Sequence, residues 1–487
     1  MGVAWNLAGM VTATLCQFAA IPVLVHQLGS RGMGVVAFSW LVTAIAGALE
    51  MGLAPAFSGE LARRRNEPGA FPADRRLMRA FEIPSWVIAT IIAVAMAISG
   101  AWVAQHWLSL DAADAGSRQA VSMMGLVACL TLPMSMYVNG LLGIERYRSA
   151  NLTRILTAVA QHGGGALVVL WLPDPRAWLI TAIVAQGAGV LLGRTLLLHS
   201  LVPGRGIDWA GLHARWVFAG GLGGIGLLSA LIASLDKVVV SRLLSLEAFA
   251  AYSLAAMVGN GFRLLATPVF GALYPRLTTL MAAGDQQAAM RLYLTVSRWM
   301  AAFLAPAVAV VALAAQPLLE VWCRNHELAR LAAPAAGLLA AGSALNALLT
   351  APYALQLSVR WTKPGLISAG ASLLITAVVL AVCAPTFGAV GAALAWPVAN
   401  LVVLAVVVPV TQRHVLQDVS LNWHRAVIGP ILVTLLVAVP AGVILPWLRS
   451  GVAGAVILGT VCLAASATLA WHHGRQDLPG MVSESAT

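Results

Sequence analysis

Residues 217–242 read VFAGGLGGIGLLSALIASLDKVVVSR. The first nineteen positions hold no charge, enough apolar chain to cross a bilayer as a helix, which needs about 20 residues. Near its far end stand Asp236 and Lys237, an acid beside a base. At 1.5 Å per residue they lie about 10 Å from the middle of a span placed over roughly 217–241, in the outer third of a bilayer. Charges persist at such a depth when they face a watery cavity or a partner. Adjacent helical residues project about 100° apart, so the two are not expected to pair with each other.

Working outward, runs of this kind recur along the whole chain. Of its 487 residues 60% are hydrophobic and 10% are charged, with a mean hydropathy of +0.86, whereas soluble domains carry about 25% charged residues. The expectation is an all-α polytopic membrane protein with about fourteen transmembrane helices. The second span is placed over roughly 33–57, the third over 83–105, the fifth over 152–172, the sixth over 178–200 and the eighth over 250–274. The opening residues lack the basic region and cleavage site of a secretory signal, so the first apolar run reads as a retained helix.

The net charge of +11 follows membrane orientation, because Arg residues crowd the short loops at 62–79, 145–148, 203–205 and 360–363. About 20 of the Lys and Arg residues fall on the side of the N-terminus and about 7 on the other, which places both termini in the cytoplasm. No concentrated basic motif points to nucleic acid. Cys16, Cys129, Cys323, Cys383 and Cys462 are scattered without metal-ligand spacing, so neither a disulfide nor a metal is expected. Lys237 and Lys363, the two lysines, precede Val and Pro, which excludes a phosphate loop and ATP hydrolysis within the chain. No cofactor and no catalytic residue is read.

The chain also repeats at an offset of about 215 residues. HQLGSRGMGVVAFS from His26 lies over SRLLSLEAFAAYS from Ser241, and MYVNGLLGIER from Met136 over PYALQLSVRW from Pro352. Six spans separate the equivalents, so the halves run parallel. The expected organisation is two pseudo-symmetric six-helix lobes, 1–205 and 206–412, followed by two C-terminal helices and a cytoplasmic tail over 413–487.

Charges inside spans cost about 2.5–3.5 kcal/mol each, on the order of 10 kcal/mol for Glu50, Asp236, Lys237 and Arg263 together. They are the first cavity candidates. Arg263 lies near the middle of its span, and the repeat offset brings it to within two positions of Glu50, so the two are expected to face each other across a cavity; two readings stand, cavity lining or a staple between helices. His162, followed by three glycines, is a further candidate or a structural hydrogen-bonder. Arg154 and Arg298 sit near span ends, to meet an anion at the inner mouth or to snorkel toward headgroups. Asn139, Asn260, Asn346 and Asn400 bind sugars or join helices.

Several stretches resemble the polysaccharide-transport flippases of the multidrug/oligosaccharidyl-lipid/polysaccharide exporter superfamily. They are WNLAGMVTATLCQFAAIPVLVHQLGSRGMG at the N-terminus, LEMGLAPAFSGELARR at the end of the second span, and the segment from Leu235 to Leu280. The resemblance covers nearly the whole chain. It implies alternating access between two six-helix lobes of a bacterial inner-membrane protein, moving a polyprenyl-diphosphate-linked oligosaccharide to the outer leaflet for exopolysaccharide or O-antigen. The implied partners are that lipid, the surrounding membrane lipids, a polysaccharide polymerase and glycosyltransferases. Rival readings are a multidrug exporter, a peptidoglycan-precursor flippase and a membrane glycosyltransferase or polymerase. Cationic residues favour an anionic cargo over a cationic drug, and the short outer loops disfavour the enzyme.

Overall fold

A computed structural model describes residues 2–49, 52–66, 75–110, 114–416, 420–444 and 451–476. Their contacts divide the chain into two units, 1–250 and 251–487.

The first unit begins with α1 (Gly2–Ala48), which turns at Gly29, where φ is 67°, so that two rods are joined in one element. A positive φ of this kind is where glycine, lacking a Cβ, is needed. The second rod continues in α2 (Leu53–Asn66), and then come α3 (Arg75–Trp102) and a π-helical turn at Val103–Trp107. After α4 (Ala115–Gly143), the next rod is α5 (Tyr147–Ala158), a π-helical segment Val159–Gly164 and α6 (Gly165–Trp171). α7 (Pro175–Ser200) and α8 (Trp209–Leu243) follow, and α9 (Leu246–Ala282) leads into the second unit. Asp114, Asp174 and Asp208 accept backbone N–H bonds at the starts of α4, α7 and α8, as helix N-caps do.

The second unit adds α10 (Gln286–Cys323), α11 (His326–Leu348), α12 (Thr350–Ser358), α13 (Lys363–Val415), α14 (Ser420–Ile444) and α15 (Val452–Gln476). α13 is also two rods, joined at Gly388 with φ 58°. With α11 and α12, parted only at Leu349, counted as one rod, the helices of the described residues make fourteen rods, matching the count read from hydropathy. Among the same residues nine helices are long and apolar enough to cross a membrane, two of them the double rods α1 and α13.

The backbone carries the repeat as well. Ser109 (φ 51°) and Arg324 (φ 52°) are left-handed and stand 215 positions apart, as do Glu145 (φ 60°) and Arg360 (φ 59°). Non-glycine residues seldom adopt that conformation. Two such pairs at one offset show that the connections after the third and fourth rods are reused in the second half.

Without water to drive them together, membrane helices associate through close packing of small residues. α11 presents buried Ala329, Ala332, Ala336, Ala340 and Ala347 to α10 and α13. In the first unit a Cβ on Gly143 would stand 2.9 Å from the Cα of Ser58, so glycine sets the approach of α4 to α2. Around it Phe57, Phe81, Tyr137 and Leu141 form a buried core.

Candidate functional site

The helices place the candidate charges separately. Asp236 and Lys237 lie on the last part of α8, both partly buried, and Lys237 Nζ reaches Asp236 Oδ1 at 3.5 Å. This corrects the expectation that they do not pair. The four-carbon lysine stem folds back along its own helix, where Nζ also donates to the Ala233 carbonyl at 2.9 Å. One turn further on, Ser241 Oγ accepts from Trp107 Nε1 at 3.1 Å, and the Arg242 guanidinium lies over the Trp107 ring, 6.0 Å from its centroid. The far end of α8 is thus tied to the π-helical turn after α3.

Arg263 lies on α9 and is exposed. Asn260, Thr267 and Gly271, on the same side of the helix at intervals of three and four residues, are exposed too, and a Cβ at Gly271 would meet nothing within 4 Å. Three polar side chains, Asn260, Arg263 and Thr267, are thus exposed there, with the exposed Leu264 among them. Glu50, its expected counterpart, lies outside the described residues.

His162 sits in the π-helical segment Val159–Gly164, half-buried, with Nδ1 enclosed and without a hydrogen-bond partner. Its neighbour Gln161 is buried and accepts from Gln186 Nε2 of α7 at 3.0 Å. The extra residue of a π-bulge re-aims side chains and is common at functional sites. Arg154, two turns earlier on α5, is half-buried. Arg298 on α10 is 6% exposed, so its guanidinium is held within protein and does not snorkel. Asn346 donates to Asn400 Oδ1 at 2.8 Å, joining α11 to α13; for this pair the helix-joining role is the one observed.

Two charged clusters were not read from the sequence. In the first, Arg64 of α2 is 4% exposed and bonds Glu60 and Asp208, each at 2.7 Å, while Asp208 also caps α8 through the Gly211 N–H. Burial pulls the Asp208 carboxyl upward. The Gly211 N–H and the Arg64 guanidinium together outweigh it and leave the group below the usual carboxylate range. In the second, Glu82 of α3 accepts from Arg194 Nε of α7 at 2.6 Å and from the Tyr137 hydroxyl. Trp86 Nε1 donates to that hydroxyl at 3.3 Å. The available signal was Arg194 itself, an arginine inside the apolar run GVLLGRTLLL.

Among the described residues no group of three or more His, Cys, Asp or Glu stands ready to hold a metal. The candidate positions instead carry scattered cationic and amide groups.

A family model described as "Polysaccharide biosynthesis protein" matches residues 1–281, more than half of the chain. The chain belongs to that family. No curated protein matches this member of the polysaccharide biosynthesis protein family by sequence. Its fold is shared with solved transporters. The lipid II flippase MurJ in an inward closed conformation has a TM-score of 0.64 at 10% identity, covering 97% of this chain and 99% of the other. An inward-facing multidrug resistance MATE family transporter of the MOP superfamily scores 0.67 at 14% identity, covering 84% and 96%. The MATE multidrug transporter DinF-BH scores 0.54 at 16% identity, covering 84% and 94%. At such identities the likeness is one of fold. This family member is a multi-pass membrane protein with the all-α architecture of MOP transporters.

Proposed function

We propose that this family member is a flippase that carries a polyprenyl-diphosphate-linked oligosaccharide from the cytoplasmic to the outer leaflet by alternating access, for exopolysaccharide or O-antigen synthesis. The carrying observation is the exposed row of Asn260, Arg263, Thr267 and Gly271 on α9. A cation near the middle of a long apolar helix requires water or an anion in front of it. A guanidinium offers the planar fork that binds phosphate bidentately, and amide and hydroxyl neighbours suit a sugar. Lys237 adds a cation on α8, with Asp236 holding it when no anion is present. His162, Arg154 and Glu50 remain as further lining positions, whereas the buried Arg298 is set aside. No step breaks or forms a covalent bond.

The reading places the chain in the bacterial inner membrane with both termini cytoplasmic, beside the glycosyltransferases that build the cargo and the polymerase that consumes it. An anionic headgroup moving outward through an inside-negative potential gains about 2.3 kcal/mol per charge per 100 mV. The test is reconstitution into vesicles holding a fluorescent polyprenyl-diphosphate oligosaccharide, with exposure read by an external glycosidase. Wild type is expected to expose the lipid, and Arg263→Ala to slow it at least tenfold, the loss of one charge-assisted contact of about 1.5–3 kcal/mol. Protein that moves no such lipid, or a variant as fast as wild type, sinks the reading.

A further inference from the structure

The repeat exposes a difference between α3 and α10, the third rods of their halves. At the 215-residue offset, positions 83, 87, 91, 94 and 98 of α3 correspond to 298, 302, 306, 309 and 313 of α10. In α10 these are Arg298, Ala302, Pro306, Ala309 and Leu313, the first four buried. α14 and α15 pack along this helix, with Ala309 and Leu313 clustered against Ala438, Leu458 and Cys462. In α3 the same positions are Ile83, Val87, Ile91, Val94 and Ile98, all 39% to 78% exposed. Among the described residues nothing in the first half corresponds to the two covering helices.

That bare stripe is about 22 Å long and borders a groove of ≈ 930 Å³ whose polar mouth holds Arg79, Glu82 and Arg194. Arg79 Nη1 donates to the Gly204 and Gly206 carbonyls, each at 3.0 Å, which fixes the guanidinium at the mouth. Glu82 is engaged by Arg194 and Tyr137. With both arginines and the carboxylate ionised, the mouth carries one positive charge in excess.

We propose that this groove binds one monoanionic phosphodiester lipid of the surrounding bilayer, a phosphatidylglycerol type, with its phosphate at Arg79 and Arg194 and one chain along Ile83–Ile98. Two observations favour this occupant. A second helix is the wrong shape, because membrane helices approach through small residues, as at Ala302 and Ala309 of α10, whereas the α3 stripe is uniformly Ile and Val. A diphosphate headgroup carries more than one negative charge and exceeds the single surplus cation, while a phosphodiester matches it. The site is separate from the Arg263 row and does not depend on what the protein transports.

Native mass spectrometry of the delipidated protein, titrated with phosphatidylglycerol, phosphatidylethanolamine or a polyprenyl diphosphate, tests the assignment. Phosphatidylglycerol is expected to bind about fivefold more tightly than phosphatidylethanolamine, and Arg79→Gln to remove about that preference. Because Arg79 also holds the 204–206 loop, Val87→Trp serves as a second variant: it fills the groove below the mouth and should lower phosphatidylglycerol occupancy with an unchanged elution volume. Equal binding of the two phospholipids, unchanged phosphatidylglycerol affinity in both variants, or preference for the diphosphate overturns the proposal.

Discussion

The third and sixth rods of each half are held together differently. In the first half Glu82 of α3 meets Arg194 of α7, whose side chain is 44% exposed, beside an open groove. In the second half Tyr293 of α10 accepts from Gln412 Nε2 of α13 at 3.2 Å, and both residues are fully buried. The difference follows from what covers them. α14 and α15 pack over α10, and in an enclosed apolar site an ion pair gains too little to offset its desolvation, so the contact there is neutral. On α3 the edge is open to headgroups and water, and ionised groups are tolerated.

The harshest way to break this comparison is to put a carboxylate where the neutral contact is. Tyr293→Glu is expected to destabilise the protein by at least about 3 kcal/mol, the cost of an uncompensated buried charge, seen as a lower unfolding temperature by thiol-reactive dye at the buried cysteines. A variant as stable as wild type would remove the contrast. A smaller effect is expected at the Arg64–Asp208 contact, where Arg64 is buried and Asp208 keeps a partly open carboxyl. The folded Asp208 carboxyl lies below its ordinary value, so its stabilisation is fully present above about pH 4, the unfolded value, and is lost as pH falls through the lower folded value. Asp208→Asn should therefore cost about 1–2 kcal/mol at pH 7, and the gap from wild type should shrink on acidification below pH 4. A gap that is constant with pH would assign Asp208 a capping role alone. The smallest effect is expected where the comparison predicts tolerance: Glu82→Gln with Arg194→Gln should shift stability by less than about 1 kcal/mol, and a larger loss would mean that the α3–α7 pair is as enclosed as its neutral counterpart.

Much of this is legible in the chain. Apolar runs separated by basic loops yield fourteen rods, because a bilayer-crossing helix satisfies its own backbone and its length is set by the membrane. The offset seen between His26 and Ser241 returns as matching left-handed turns at Ser109 and Arg324. Less visible is the boundary of charge. Hydropathy starts the third span at residue 83, which leaves Glu82 in a loop, and places Arg194 inside the sixth span without a partner, although the two meet across 112 positions of sequence. Cβ directions alone argue against an Asp236–Lys237 pair, a rule that suits short side chains and fails for a lysine that can fold back.

The residues by themselves determined the class of molecule, the number of its rods and the repeat, since hydropathy, length and turn conformation are local properties that each segment carries wherever it packs. Only the tertiary structure decided which of two equivalent helix faces is sealed by protein and which lies bare, and hence where a charge is neutralised, buried or left to meet a ligand. Those outcomes depend on the company each side chain keeps, and segments distant in sequence supply it.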